Sequence, residues 1–119
     1  MANIIPFSFR GELFSGTHDF ASGGNQFKIA LYTSNPYSTS STAYLTTNEV
    51  SASGGSNYTA TGNILASQAV ASGTAVASVD FADTSWTSAT FTAAFAAIYN
   101  DTNSDKLCVV LDFGGNKTA

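Results

Sequence analysis

An alternating acidic stretch near the end of the chain is the closest approach in this sequence to a metal site. Asp101, Asn103 and Asp105 alternate, and Asp112 follows at the twelfth position. Oxygen ligands at positions one, three, five and twelve are how a calcium-binding loop wraps a hard cation. The sixth position is Lys106, however, where such a loop needs a glycine. A turn between two strands is favoured, so the four oxygen-bearing residues are weak candidates and no cofactor is predicted.

Catalytic chemistry has few residues to draw on. The chain contains one histidine, one cysteine and four Lys and Arg residues. His18 precedes Asp19, but no activated nucleophile lies nearby in the sequence, so a pairing within a loop or at a helix end is predicted. Cys108 lies in an apolar run, which is typical of a buried strand residue rather than a reactive thiol. Because acid-base and nucleophilic sites need several converging polar groups, we expect a protein that is not an enzyme.

The amino-acid composition limits the classes of partner that the chain can bind. A chain of 119 residues has room for one compact domain, and only 10% of its residues are charged. The net charge of -4 disfavours nucleic acid, which is bound through clustered Lys and Arg. The sequence shows neither a signal peptide nor the ~18 consecutive apolar residues of a membrane helix. Synthesis in the cytoplasm is therefore expected, with no membrane partner.

One short helix is predicted near the N-terminus. Pro6 suits the first position of a helix, Phe9 and Leu13 follow at helical spacing, and Gly16 ends the pattern. A helix over residues 6–14 is too short to be stable alone, so its aromatic face must dock on this domain's own sheet or on a neighbouring subunit. We expect residues 1–26 to form an N-terminal arm with this helix, and residues 27–119 to form a β-sandwich domain.

The rest of the chain shows strand patterns. Apolar and polar residues alternate with a period of two, and turn signals recur every eight to twelve residues. The predicted fold is mostly β, a small antiparallel sandwich of jelly-roll or immunoglobulin-like type with one N-terminal helix. Residues 34–42 are expected to project from the sheet as a loop, and residues 43–50 to form an edge strand or an irregular arm. The main strand segments are 27–33, short strands within 63–82, the alternation from 86 to 99, and 107–113 with Leu107, Val109, Leu111 and Phe113 on one face.

Aromatic residues near hydroxyl-rich loops allow two interpretations. Exposed rings flanked by Asn, Ser and Thr suit sugar stacking or protein interfaces, whereas rings at strand ends commonly pack into the core. The sequence leaves both open for Tyr32, Tyr37, Tyr44, Tyr58 and Trp86.

Several segments together resemble a family of small structural proteins of tailed bacteriophages. They are FKIALYTS at 27–34, TTNEVS at 46–51, IYNDT at 98–102, VVLDFG at 109–114 and GTHDF at 16–20. The resemblance implies a virion protein, and we expect a capsid decoration, or cement, protein that binds the outside of the phage head. The alternative is a tail or neck accessory, or a receptor-facing module that binds host surface glycans.

This resemblance also implies partners. The expected partner is the major capsid protein, and self-association as a trimer is expected where three capsomers meet. Members of the family continue into a further apolar strand, so a sheet edge covered by a neighbouring chain is expected. The residues expected at interfaces are Pro6, Phe7, Phe9, Leu13 and Phe14 for anchoring, and Pro36, Tyr37 and Tyr44 for loop contacts.

Overall fold

The computed structural model of this protein describes residues 3–119, which form one short helix and six strands in two antiparallel sheets. The predicted mostly β fold with one N-terminal helix is confirmed. Within residues 3–119, no helix is long and apolar enough to cross a membrane. The elements are α1 (Phe7–Phe14), β1 (Phe27–Tyr32), β2 (Asn63–Leu65), β3 (Ala69–Ser72), β4 (Ala77–Asp80), β5 (Thr92–Asn100) and β6 (Lys106–Thr118).

The larger sheet has the strand order β2-β1-β5-β6, and β3 and β4 form a separate hairpin. At its centre, Ala30 of β1 lies opposite Ala97 of β5, and both are fully buried. The alanine-rich stretch of β5 is a strand, as predicted, although alanine favours helices. Gly62 has a φ of +85°, and a Cβ there would collide with the backbone of Ile29. Only glycine lets the chain pass this close to β1 before it enters β2.

A bulge in β6 overturns part of the predicted pattern. Ile98 pairs with Val109, but Tyr99 pairs with Leu107, so Cys108 is an extra residue in the ladder. Leu107 therefore packs on the opposite face of the sheet from Leu111. The predicted shared face holds for Val109, Leu111 and Phe113 but was wrong for Leu107, because the residue inserted at Cys108 breaks the period of two.

Each face of the large sheet carries its own aromatic layer. We call one the tyrosine face, where the buried residues are Ala30, Tyr32, Tyr37, Ala97, Tyr99, Leu107 and Val110. We call the other the helix face, where Phe9 of α1 and Phe81, directly after β4, pack on the sheet. Tyr58 and Trp86 pack on the same face further along β1. Irregular segments thus cover most of a sheet that has only four strands.

Residues 34–50 follow a different course from the predicted one. Residues 34–42 do not simply project from the sheet, because Tyr37 is only 5% exposed and its hydroxyl lies 2.6 Å from that of Tyr32. The irregular-arm alternative for residues 43–50 is confirmed, since Ala43 and Glu49 each form only an isolated bridge to the sheet. Trp86 also lies outside the strand predicted from 86 to 99, because β5 begins only at Thr92.

The predicted N-terminal arm packs closely on the sheet. Met1 and Ala2 lie outside the described residues. Ile4 exchanges two backbone hydrogen bonds of 2.9 Å with Val110 of β6. Asn3 accepts a hydrogen bond of 2.7 Å from the backbone N–H of Asp112 through its side-chain oxygen. Residues 3–4 therefore cover part of the outer edge of β6.

Glu49 holds several irregular segments together. Its carboxylate accepts hydrogen bonds from the Tyr58 hydroxyl at 2.7 Å and the Thr61 backbone N–H at 2.9 Å. It also accepts one from the Tyr44 hydroxyl. The Tyr99 hydroxyl in turn donates to the carbonyl of Thr61, so the network reaches β5. One carboxylate thus ties two loops to the sheet.

Replacing Glu49 with alanine is expected to destabilise the protein by about 2–4 kcal/mol, because hydrogen bonds to a charged group contribute about 1.5–3 kcal/mol each and three partners lose their acceptor. The free energy of unfolding in urea measures this change. Asp83→Ala is the matched control, since Asp83 is exposed and should shift stability by less than about 0.5 kcal/mol. Equal effects of the two substitutions would contradict the role given to Glu49.

Alkaline pH is expected to unfold the chain. Burial raises the pKa of all five tyrosines above their ordinary value near 10, so the unfolded state loses protons first as the pH rises. The stabilisation from these protonated tyrosines is complete below pH 10. Above pH 10, each tyrosine that is still protonated in the folded chain lowers the free energy of unfolding by about 1.4 kcal/mol per pH unit. As the pH is raised, the absorbance of tyrosinate and the circular dichroism of the protein should change together. Tyrosinate that forms before any loss of structure would contradict the prediction.

Candidate interaction surface

Helix α1 exposes aromatic side chains that a folded domain normally buries. Phe14 is 95% exposed, Phe7 is 60% exposed and Leu13 is 46% exposed. Only Phe9 of the α1 aromatic residues packs against the helix face of the sheet. The helix begins at Phe7, one residue later than predicted, with Pro6 as the N-cap residue. The Phe7 N–H donates to the carbonyl of Thr39 at 2.9 Å. The helix therefore docks by one side and presents the other to solvent.

An apolar groove of about 540 Å³ lies between α1 and the β3–β4 hairpin. Its walls carry no charged side chain, and its floor is formed by residues of β5 and β6. Exposed apolar surface of this extent commonly marks a place where another molecule binds. The lining residues are Ile5, Phe9, Leu13, Phe20, Ala77, Val79, Phe81, Ile98, Cys108 and Val109.

A buried polar cluster holds α1 in place beside this groove. His18 Nε2 lies 2.9 Å from Glu12 Oε1 of the helix, and His18 Nδ1 lies 3.0 Å from Asn100 Nδ2 at the end of β5. Since the Asn100 amide nitrogen can only donate, Nδ1 accepts and the Nε2–H donates to Glu12. Lys106 Nζ lies 3.5 Å from the other carboxylate oxygen. The predicted helix-end pairing of His18 is confirmed, with Glu12 rather than Asp19 as its partner.

Cys108 lies under α1 and is buried, as the sequence predicted. Its Sγ is 3.7 Å from His18 Nδ1. Burial, and to a smaller extent the charge of Glu12, raises the pKa of the thiol to about 12. A nucleophilic cysteine needs the opposite shift, so this pairing of Cys and His favours structure over catalysis.

The residues considered for a metal site do not converge. The strand register places Asp112 opposite Phe95, whereas the acidic turn follows Asn100, so Asp112 lies about 17 Å along the sheet from that turn. Among residues 3–119, no group of three or more His, Cys, Asp and Glu side chains could hold a metal ion.

The acidic stretch instead makes the predicted turn between two strands. Asn103 Nδ2 donates to the carbonyl of Thr17 at 2.6 Å, and Asp101 accepts from Gln26 Nε2 at 2.6 Å. Burial, followed by the nearby charge of Asp101, raises the pKa of Asp105. These side chains fasten the turn to the segment that precedes β1.

The predicted interface residues differ in how far they are exposed. Phe7, Leu13 and Phe14 are exposed and could contact a partner directly. Pro6 and Tyr37 are buried in this chain, so their prediction as surface contacts was wrong. Tyr37 was mistaken for a loop contact because its neighbours in sequence are hydroxyl residues, whereas its ring packs on Tyr32. The remaining residues are half-buried: Phe9, Pro36 and Tyr44.

Sequence reasoning missed the hairpin side of this surface. Val79 lines the groove, and Val70 and Val76 are exposed on the same hairpin. The alternation of apolar residues through β4 was visible in the sequence, but it could not show that this face remains uncovered. No family model, curated protein or solved structure matches this chain.

The Cys108 thiol should report whether α1 is docked. With a pKa of about 12, its thiolate fraction at pH 8 is about three orders of magnitude below that of a free thiol, so Ellman's reagent should react very slowly with the folded protein. Phe9→Ala should accelerate the reaction by loosening α1. Phe7→Ala is the matched control and should leave the rate unchanged, because Phe7 is exposed. Rapid reaction of the unsubstituted protein would contradict the docked helix.

Proposed function

We propose that this chain is a non-enzymatic virion protein of a tailed bacteriophage, a capsid decoration protein that binds the major capsid protein on the outside of the head and stabilises capsomer junctions. The observation that carries the proposal is the exposed aromatic side of α1 beside an apolar groove. The resemblance of several segments to phage structural proteins supports the same conclusion. The chain would be made in the host cytoplasm and reside on the phage head.

The composition of the surface suits a role in assembly. Burying an exposed Phe side chain on a partner contributes about 1.5–3 kcal/mol. Only 10% of the residues are charged, so few charged groups need to lose their hydration when the surface is covered. A contact of modest affinity is sufficient on a capsid, because symmetry repeats it and linked contacts reinforce one another.

We infer further that the two sheets form a small sandwich of jelly-roll or immunoglobulin-like type. The hairpin supports this arrangement because Phe81, directly after β4, meets Phe27 of β1 with ring centroids 6.1 Å apart. This aromatic contact supports an arrangement in which the smaller sheet lies over the helix face of the larger one.

Self-association, with a trimer where three capsomers meet, belongs to the same proposal. The outer edge of β6 supports it. Ile4 pairs with Val110 and Ala43 with Lys106, but beyond Asp112 no described residue pairs with that edge. An unpaired strand edge is a template for a neighbouring chain.

Substituting the exposed aromatic residues should weaken binding to the head without unfolding the chain. Phe7→Ser together with Phe14→Ser is expected to lower affinity for purified heads at least about tenfold, since each ring contributes more than 1 kcal/mol when buried. Co-sedimentation with heads measures the loss, and slow reaction of Cys108 verifies that α1 stays docked. Ile64→Ser is the matched control, because Ile64 is 53% exposed on β2. Equal loss of binding in the control would contradict a specific role for α1.

Copy number distinguishes the head from the alternative location. On the order of hundreds of chains per particle would support decoration of the head, whereas about a dozen would place the chain at the tail or neck. Quantitative mass spectrometry of purified virions measures this number. Absence of the chain from virions would refute both locations.

A further inference from the structure

A second recess, on the side of the molecule built by residues 52–59 and 84–88, differs from the apolar groove in its chemistry. It is a cleft of about 600 Å³, a volume within the range of pockets that hold small ligands. All of its lining residues are uncharged, and most carry a hydroxyl or an amide. The residues that matter here are Asn57, Thr59, Asn63, Ser85, Trp86 and Ser88.

The walls of this polar cleft are tied to each other. Asn57 Nδ2 donates to the carbonyl of Ser88 at 2.8 Å, and Asn63 Nδ2 donates to the carbonyl of Ser85 at 3.1 Å. The Thr90 N–H donates to the carbonyl of Ser56 at 3.0 Å. These bonds connect segments about thirty residues apart in sequence, so the cleft is formed before any ligand arrives.

The backbone of the cleft is also unusual. Asn57 and Ser88 both have positive φ values, of 61° and 53°, and they are hydrogen-bonded to each other across the cleft. Asparagine tolerates this conformation, whereas serine adopts it at a cost in free energy. Strained backbone of this kind is often found where a protein holds a ligand.

Several polar groups in the cleft have unused hydrogen-bonding capacity. The amide nitrogens of Asn57 and Asn63 are committed to backbone carbonyls, which leaves their Oδ1 atoms as acceptors. Within residues 3–119, the hydroxyls of Thr59, Ser85 and Ser88 make no hydrogen bond. The buried Nε1 of Trp86 also has no partner. The acceptors and hydroxyls that line the cleft can therefore bond a ligand.

The absence of charge in this lining selects the class of ligand. A charged ligand would lose hydration in the cleft without meeting a counter-charge. A neutral ligand with many hydroxyls would find both donors and acceptors, because each Ser and Thr hydroxyl can serve in either role. We propose that the polar cleft between residues 52–59 and 84–88 binds a neutral saccharide. This site is separate from α1 and does not depend on the proposed attachment to a phage head.

Trp86 provides a direct measurement, because it is the only tryptophan in the chain and it lines the cleft. Its ring stacks on Tyr58, with centroids 5.9 Å apart. Titration with neutral trisaccharides of glucose, galactose or N-acetylglucosamine should change Trp86 fluorescence in a saturable way for at least one sugar. The same sugar should shift the indole N–H signal in NMR spectra.

Variants test whether the response arises in the cleft. Ser85→Ala combined with Thr87→Val removes hydroxyls that carry no internal hydrogen bond, and it should weaken binding about fivefold to tenfold. Ser72→Ala is the matched control on the exposed strand β3 and should leave affinity unchanged. Equal weakening in both variants would refute the site.

Three further outcomes would overturn the proposal. The first is no saturable response to any neutral sugar up to its solubility. The second is tighter binding of a sialylated trisaccharide, which would contradict the neutral class. The third is a Trp86 response to protein concentration alone, which would assign the cleft to contacts between copies of the chain. Each measurement uses the isolated protein, so failure of the saccharide site leaves the head-binding test unaffected.

Discussion

The packing of aromatic rings on an alanine-lined sheet is the contact on which the rest of the structure depends. Ala30 and Ala97 lie opposite each other, and Ala96 lines the other face of β5. Such small side chains leave room for large rings to approach the backbone on both faces. Rings from irregular segments fill that space, so a sheet of only four strands acquires two hydrophobic layers.

Tyrosine suits this construction because it combines a large apolar ring with a polar end. The Tyr58 hydroxyl accepts from the Leu31 N–H at 3.0 Å and donates to Glu49. The Tyr37 hydroxyl accepts from the Leu45 N–H at 2.9 Å. Each ring buries apolar surface, while its hydroxyl fastens the irregular segment that carries Tyr58 to β1, or links Leu45 to Tyr37. These loops are thereby held against the sheet.

The scarcity of charged residues leaves two uncharged surfaces that differ in their chemistry. Phe7 and Phe14 extend from α1 beside an apolar groove, which suits contact with another protein. Asn57 and Ser88 border a polar cleft that lacks charged groups. The first surface is the one proposed to attach to a phage head, and the second is the one proposed to bind a neutral sugar. The groove and the cleft have no lining residue in common.

Sequence alone determined the elements whose signals are local. Alternation predicted β1 and β5, Pro6 marked the start of the helix, and the apolar neighbours of Cys108 indicated its burial. Only the tertiary structure decided which residues meet. It paired His18 with Asn100, buried Tyr37, made Glu49 a shared acceptor and brought Asn57 to Ser88. The physical reason is that a strand or helix pattern depends on neighbours in sequence, whereas the path of an irregular segment depends on hydrogen bonds and ring contacts with distant residues.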